Sequence, residues 1–319
     1  MSGPPMSTFD MTNEGRFASA FLLVLTTISV AIRECSRRIR KADMAAYDGL
    51  LYFAYLCYVA LTGFELWSIT NGVTSDPKFL AIPPPKRIVM LKVFFVIAIL
   101  WATTTICVKL SILFLYKKIF CLKETWFRIA WWSIFIYLVP CFTVVSFTLQ
   151  AYTLVTSLTR PNSPTLPKFS AHSSVAITWL NALAEMGLLL LPIPHLIALQ
   201  MTQKRKLALL AVFCVGAVAT MASLARGVSA SIRLTTKWTP ALTNFMLLIL
   251  TMTECAAGIM CASLATSKPF FQYVFGRNGK GNTIYTTGVT GRGTRLPNTS
   301  ESELVDMSIK EAGSVAETH

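Results

Sequence analysis

Residues 88–116 read IVMLKVFFVIAILWATTTICVKLSILFLY. Two of these side chains, Lys92 and Lys109, carry a charge, and the others are apolar, small or hydroxyl-bearing. A helix needs about 20 such residues to cross the hydrocarbon core of a bilayer. A helix is also the economical way across, because it pairs every backbone N–H and C=O within itself.

Six more runs of this kind occupy residues 17–32, 48–69, 126–149, 173–199, 207–232 and 241–264. None alternates in the two-residue rhythm of a barrel strand. Of the 319 residues, 54% are hydrophobic and 14% charged, whereas a soluble domain carries about 25% charged residues. The sequence therefore predicts an all-α membrane protein, a seven-transmembrane helical bundle over residues 16–275. A polar extracellular segment, residues 1–15, precedes the bundle. A Gly-, Ser- and Thr-rich cytosolic tail, residues 276–319, follows it and is expected to be disordered.

The net charge of +14 points to the bilayer as partner and not to nucleic acid. The basic residues fall in short connections, without the aromatic-interleaved stripe of a nucleic-acid surface. One set of connections holds Arg33, Arg37, Arg38, Arg40, Lys41, Lys117, Lys118, Lys123, Arg128, Lys204, Arg205, Lys206, Lys268, Arg277 and Lys280. The other set holds Arg16, Lys78, Lys86, Arg87, Arg160, Lys168, Arg233 and Lys237. The richer set faces the cytosol by the positive-inside rule. The N-terminus is then expected outside and the C-terminus inside. In this reading the block from Arg33 to Lys41 is a stop signal after the first span, and residues 70–87 and 150–172 are stiff, proline-marked outer loops.

The eight cysteines have no metal-binding spacing, and those within spans read as small packing residues. No catalytic or nucleotide-binding motif occurs, so no catalytic residue, cofactor or metal is assigned. The last span, residues 241–264, contains no lysine and so cannot form a retinal Schiff base.

Charge inside a span is costly and marks candidate sites. Glu65 and Lys92 lie near span ends and are expected to snorkel. Lys109, Glu185, Arg226 and Glu254 lie deeper and are the candidate ligand-binding or structural polar network. Arg226 is expected to pair with Glu254 or Glu185, and Lys109 has Glu254 within reach. The spacings Gly216 with Thr220, Ala219 with Ser223 and Gly258 with Ala262 suit close helix packing.

The stretch Leu191-Pro192-Ile193-Pro194, then Lys204-Arg205-Lys206-Leu207-Ala208-Leu209-Leu210, Phe213, Gly216, Ser223 and Arg226, resembles the fungal rhodopsin-domain family. Lys109-Leu110-Ser111-Ile112-Leu113 in the third span supports the likeness, as do Glu254, Gly258-Ile259, Cys261-Ala262-Ser263-Leu264 and Lys268-Pro269-Phe270-Phe271 in the seventh. That family is one of seven-helix integral membrane proteins, and it includes Pth-type receptor-like proteins and membrane proteins of the satratoxin cluster. Two departures stand out. Where members usually carry an acidic pair before the second span, this chain has Tyr47-Asp48. It also lacks the cysteines that members often carry in outer loops.

The resemblance implies a receptor-like multi-pass protein of a fungal membrane, the plasma membrane before internal ones. It would sense an unknown small-molecule ligand without retinal, and its basic loops would meet a cytosolic signalling partner. An accessory membrane protein of a secondary-metabolite gene cluster, with Glu185 or Glu254 as a proton donor, is the alternative.

Overall fold

The computed structural model describes residues 8–40, 45–70, 84–120, 125–159, 166–194, 203–235 and 240–266. The chain divides into two units, Met1–Arg277 and Asn278–His319. All the described residues belong to the first, and the predicted tail lies outside them. Seven long helices fill this unit. They are α1 (Thr8–Arg40), α2 (Ala46–Thr70), α3 (Pro84–Phe120), α4 (Thr125–Thr159), α5 (Leu166–Leu190), α6 (Gln203–Thr235) and α7 (Pro240–Thr266). Each contains a stretch long and apolar enough to span a membrane, and no strand occurs among the described residues. The chain is an integral membrane protein.

The helices overrun the apolar runs that predict them. α1 continues for eight residues past Ile32, so the basic block is helical up to Arg40. α4 extends to Thr159 and α5 begins at Leu166, so much of the expected loop 150–172 is helix. α3 takes in Pro84 and Pro85. Proline is tolerated in a first helical turn because that N–H has no partner within the helix anyway. α5 ends at Leu190, before the turn at Leu191 and Pro192; residues 193 and 194 are helical again, and residues 195–199 of the predicted span lie outside the described residues.

α3 lies at the centre of the bundle, against α2, α4, α5 and α7. α1 packs on α2 and α7, and α6 packs on α5 and α7. Small residues set the closest approaches. A methyl added at Gly258 would lie 3.1 Å from Val108 on α3, and one at Gly216 would lie 3.2 Å from Leu189 on α5. With little apolar driving force between helices in lipid, such close packing is a main source of cohesion.

α4 is interrupted by a π-helical turn, Tyr137–Phe142, around Pro140. Proline removes an N–H and crowds the preceding turn, and a widened turn is one way to absorb it. Leu138 and Phe142 are fully buried in this turn. Tyr137 Oη donates 2.7 Å to the main-chain carbonyl of Leu180 on α5.

Candidate functional site

The structure brings the four deep charges together, and a fifth residue joins them. Lys109 on α3 lies 3.2 Å from Glu185 on α5. Arg226 on α6 lies 3.1 Å from Glu254 on α7. Asn181 sits between the two pairs. Its Oδ1 accepts from Lys109 Nζ, and its Nδ2 donates to Glu254 Oε1 and, at 3.0 Å, to Ser223 Oγ on α6. The expected Lys109–Glu254 link therefore runs through an amide. Lys109, Asn181, Arg226 and Glu254 are all buried.

An amide suits this place because it offers an acceptor to a cation on one side and donors to a carboxylate on the other. The signal for Asn181 was its spacing. It precedes Glu185 by one helical turn and so shares its face. Ser223 likewise precedes Arg226 by three residues. Hydropathy gives an amide or hydroxyl little weight, so neither stood out beside the charges.

Aromatic rings complete the surroundings. Lys109 Nζ lies 5.5 Å from the centre of the Phe142 ring, which the π-helical turn of α4 carries. The Arg226 guanidinium stacks over Trp101 of α3 at 4.0 Å. A cation on an aromatic face gains roughly 2 kcal/mol when desolvated.

Arg226 is nonetheless under-committed. Its Nη2 lies 3.1 Å from Glu254 Oε2 but off the line of a hydrogen bond, and its Nε has no hydrogen-bond partner. Trp101 Nε1 and Glu65 Oε2 are also buried and without a hydrogen bond. Glu65 corrects the sequence reading. It does not snorkel to a span end but points inward from α2, 2% exposed. The carboxylate stem is too short to reach the helix end one and a half turns away. Lys92 is exposed, as its long stem allows.

A second polar cluster lies at the basic end of the bundle. Arg33 is 2% exposed and so is no loop-facing stop signal. Its Nε and Nη2 donate to Asp48 Oδ1 at 3.1 and 2.7 Å, and its Nη1 donates 2.6 Å to the carbonyl of Ala262 on α7. Asp48 Oδ2 accepts from the Ala45 N–H. Ser111 Oγ on α3 donates 2.7 Å to the Tyr47 carbonyl. Four helices, α1, α2, α3 and α7, thus meet at Tyr47-Asp48, the dipeptide noted as a departure from the usual acidic pair. At the same end of the bundle, Glu34 gathers Arg37, Arg38 and Tyr52.

Cys107, Cys255 and Cys261 are buried and form no disulfide, consistent with packing roles. Among the described residues no group of three His, Cys, Asp or Glu side chains gathers as metal ligands. His195 lies outside the described residues.

Comparison with known proteins places this geometry in a family. Residues 32–273 match the family model of the fungal rhodopsin domain, which takes in both polar clusters. No curated protein and no solved structure matches.

Proposed function

The chain belongs to the fungal rhodopsin domain family, and we propose that it is a receptor-like protein sensing a small molecule without retinal. The observation that carries this reading is the continuous polar network through the middle of the bundle. Lys109, Asn181, Glu185, Ser223, Arg226 and Glu254 tie four separate helices together. Such a network costs stability to bury. A ligand that alters one of its pairs shifts the packing of α3, α5, α6 and α7 together, and that is how a signal crosses a membrane without passage of a solute.

The proposed orientation puts the basic end in the cytosol, where its Lys- and Arg-rich connections meet a signalling partner, and the protein in the plasma membrane. The accessory biosynthetic role is less well supported. Both acids that would donate a proton, Glu185 and Glu254, are already held by basic partners.

Deletion of the gene separates the two roles. Loss of a response to external compounds with an unchanged metabolite profile is the expected result. An altered metabolite profile with intact sensing overturns the receptor reading.

A further inference from the structure

Charge can be counted pair by pair among the described residues of the bundle. Arg33 is matched by Asp48, Glu34 by Arg37 and Arg38, Lys109 by Glu185, and Arg226 by Glu254. Glu65 is the buried acid that enters no ion pair. Arg226, the positive charge that acts on it, is already held by Glu254. The same neighbourhood has the opposite surplus in hydrogen-bond donors. Arg226 Nε and Trp101 Nε1 are buried without a hydrogen bond, and Arg226 and Trp101 are stacked on each other.

An unpaired carboxyl beside unpaired N–H groups describes a complementary molecule. It carries a positive charge for the carboxyl and an oxygen acceptor for the N–H donors. We propose that Glu65, Trp101 and Arg226 form the binding site for a small amine that also bears an oxygen acceptor. The ammonium group pairs with Glu65, and the acceptor oxygen meets the N–H groups of Trp101 and Arg226. A free anion is the wrong class, since Glu254 holds Arg226 and Glu65 is itself an acid, and both would repel it.

The site lies toward the end of the bundle away from the basic one. Glu65 lies five residues from the end of α2 and Arg226 nine residues from the end of α6, or about 7 and about 14 Å along the helix axes. This proposal rests on the receptor reading and gives it a ligand class. An acceptor on Arg226 would compete for the guanidinium with Glu254, the residue through which Asn181 and Lys109 are reached. Binding is thereby coupled to the network.

The full chain in lipid nanodiscs is the sample. The probes are ethanolamine and 2-phenylethylamine, their uncharged counterparts ethylene glycol and 2-phenylethanol, and acetate. Thermal unfolding and tryptophan emission are followed against probe concentration. The expected result is a saturable rise in the unfolding midpoint with the amines and none with the alcohols. Ethanolamine, which alone combines the charge with an acceptor, is expected to shift the emission most. Glu65→Gln keeps shape and fold and is expected to weaken amine binding at least tenfold. Trp101→Phe keeps the ring, removes one donor and is expected to weaken ethanolamine several-fold more than 2-phenylethylamine.

Equal binding of alcohols, preference for acetate, undiminished binding to Glu65→Gln, or no saturable response to either amine overturns the proposal. Amine binding without any cellular response leaves the site standing and removes the sensing role instead.

Discussion

The two halves of the bundle treat their larger buried polar side chains in different ways, although a small hydroxyl without a hydrogen bond, Ser36, occurs at the basic end too. Toward the basic end, Arg33, Asp48, Lys109, Asn181 and Trp131 each end on a named partner. Toward the other end, Glu65, Trp101, Gln150 and Arg226 keep unpaired atoms at full burial. A membrane interior makes both choices expensive, the first in desolvation and the second in missing bonds as well. The paired half is built to hold one arrangement. The unpaired half retains the capacity to bind, and any ligand there acts on helices already fixed at their far ends.

The contrast can be broken most severely at the basic end. Arg33→Ala leaves Asp48 buried without its cation and frees the Ala262 carbonyl. The expected cost is about 3–5 kcal/mol, read as a collapse in monodisperse yield and unfolding midpoint in detergent. If Arg33→Ala behaves like wild type, the basic end is not the clamp.

Next in size is the central pair. Arg226→Glu and Glu254→Arg are each expected to lose roughly 3 kcal/mol, and the exchanged double variant is expected to regain a substantial part. A double variant no better behaved than either single one removes the pair. Gly258→Ala tests the close approach of α7 to α3. Val108 must give by a few tenths of an ångström, and overpacking costs about 1–3 kcal/mol. The smallest effect is expected at Glu65. Glu65→Gln breaks no ion pair, so its unfolding midpoint is expected to match or exceed that of wild type. A loss as large as that of Arg33→Ala would erase the difference between the halves.

How much of this was legible in the sequence depended on the energy at stake. The seven spans were readable because lipid enforces long apolar runs on any helix that crosses it. Their ends were less so, since helix in the interfacial region needs no apolar signal. The residues 150–159 are helical with Gln150, Thr153, Thr156 and Thr159 among them. The deep charges of the site could be named from their cost alone. Asn181 could not, because an amide draws no comparable penalty, although it makes the contacts that unite the network. Arg33 was misleading for a different reason. A basic block at a span end usually faces water, and only the partner 15 residues further on, Asp48, shows that one member turns inward. Glu65 misled through its position near a helix end, where inward and outward faces cannot be told apart by depth.

Several of the bonds that bind helix to helix end on main-chain oxygen. Arg33 reaches the carbonyl of Ala262, Trp131 that of Leu113, and Tyr137 that of Leu180. Each contact has a recognisable side chain on one side only. Residues 262, 113 and 180 can change identity under selection while the bond persists, provided the helix stays in place. Correlated substitution between these position pairs is therefore expected to be absent, however tightly the helices are joined there. Constraint should appear instead as one-sided invariance at 33, 131 and 137, with drift at the positions they hold.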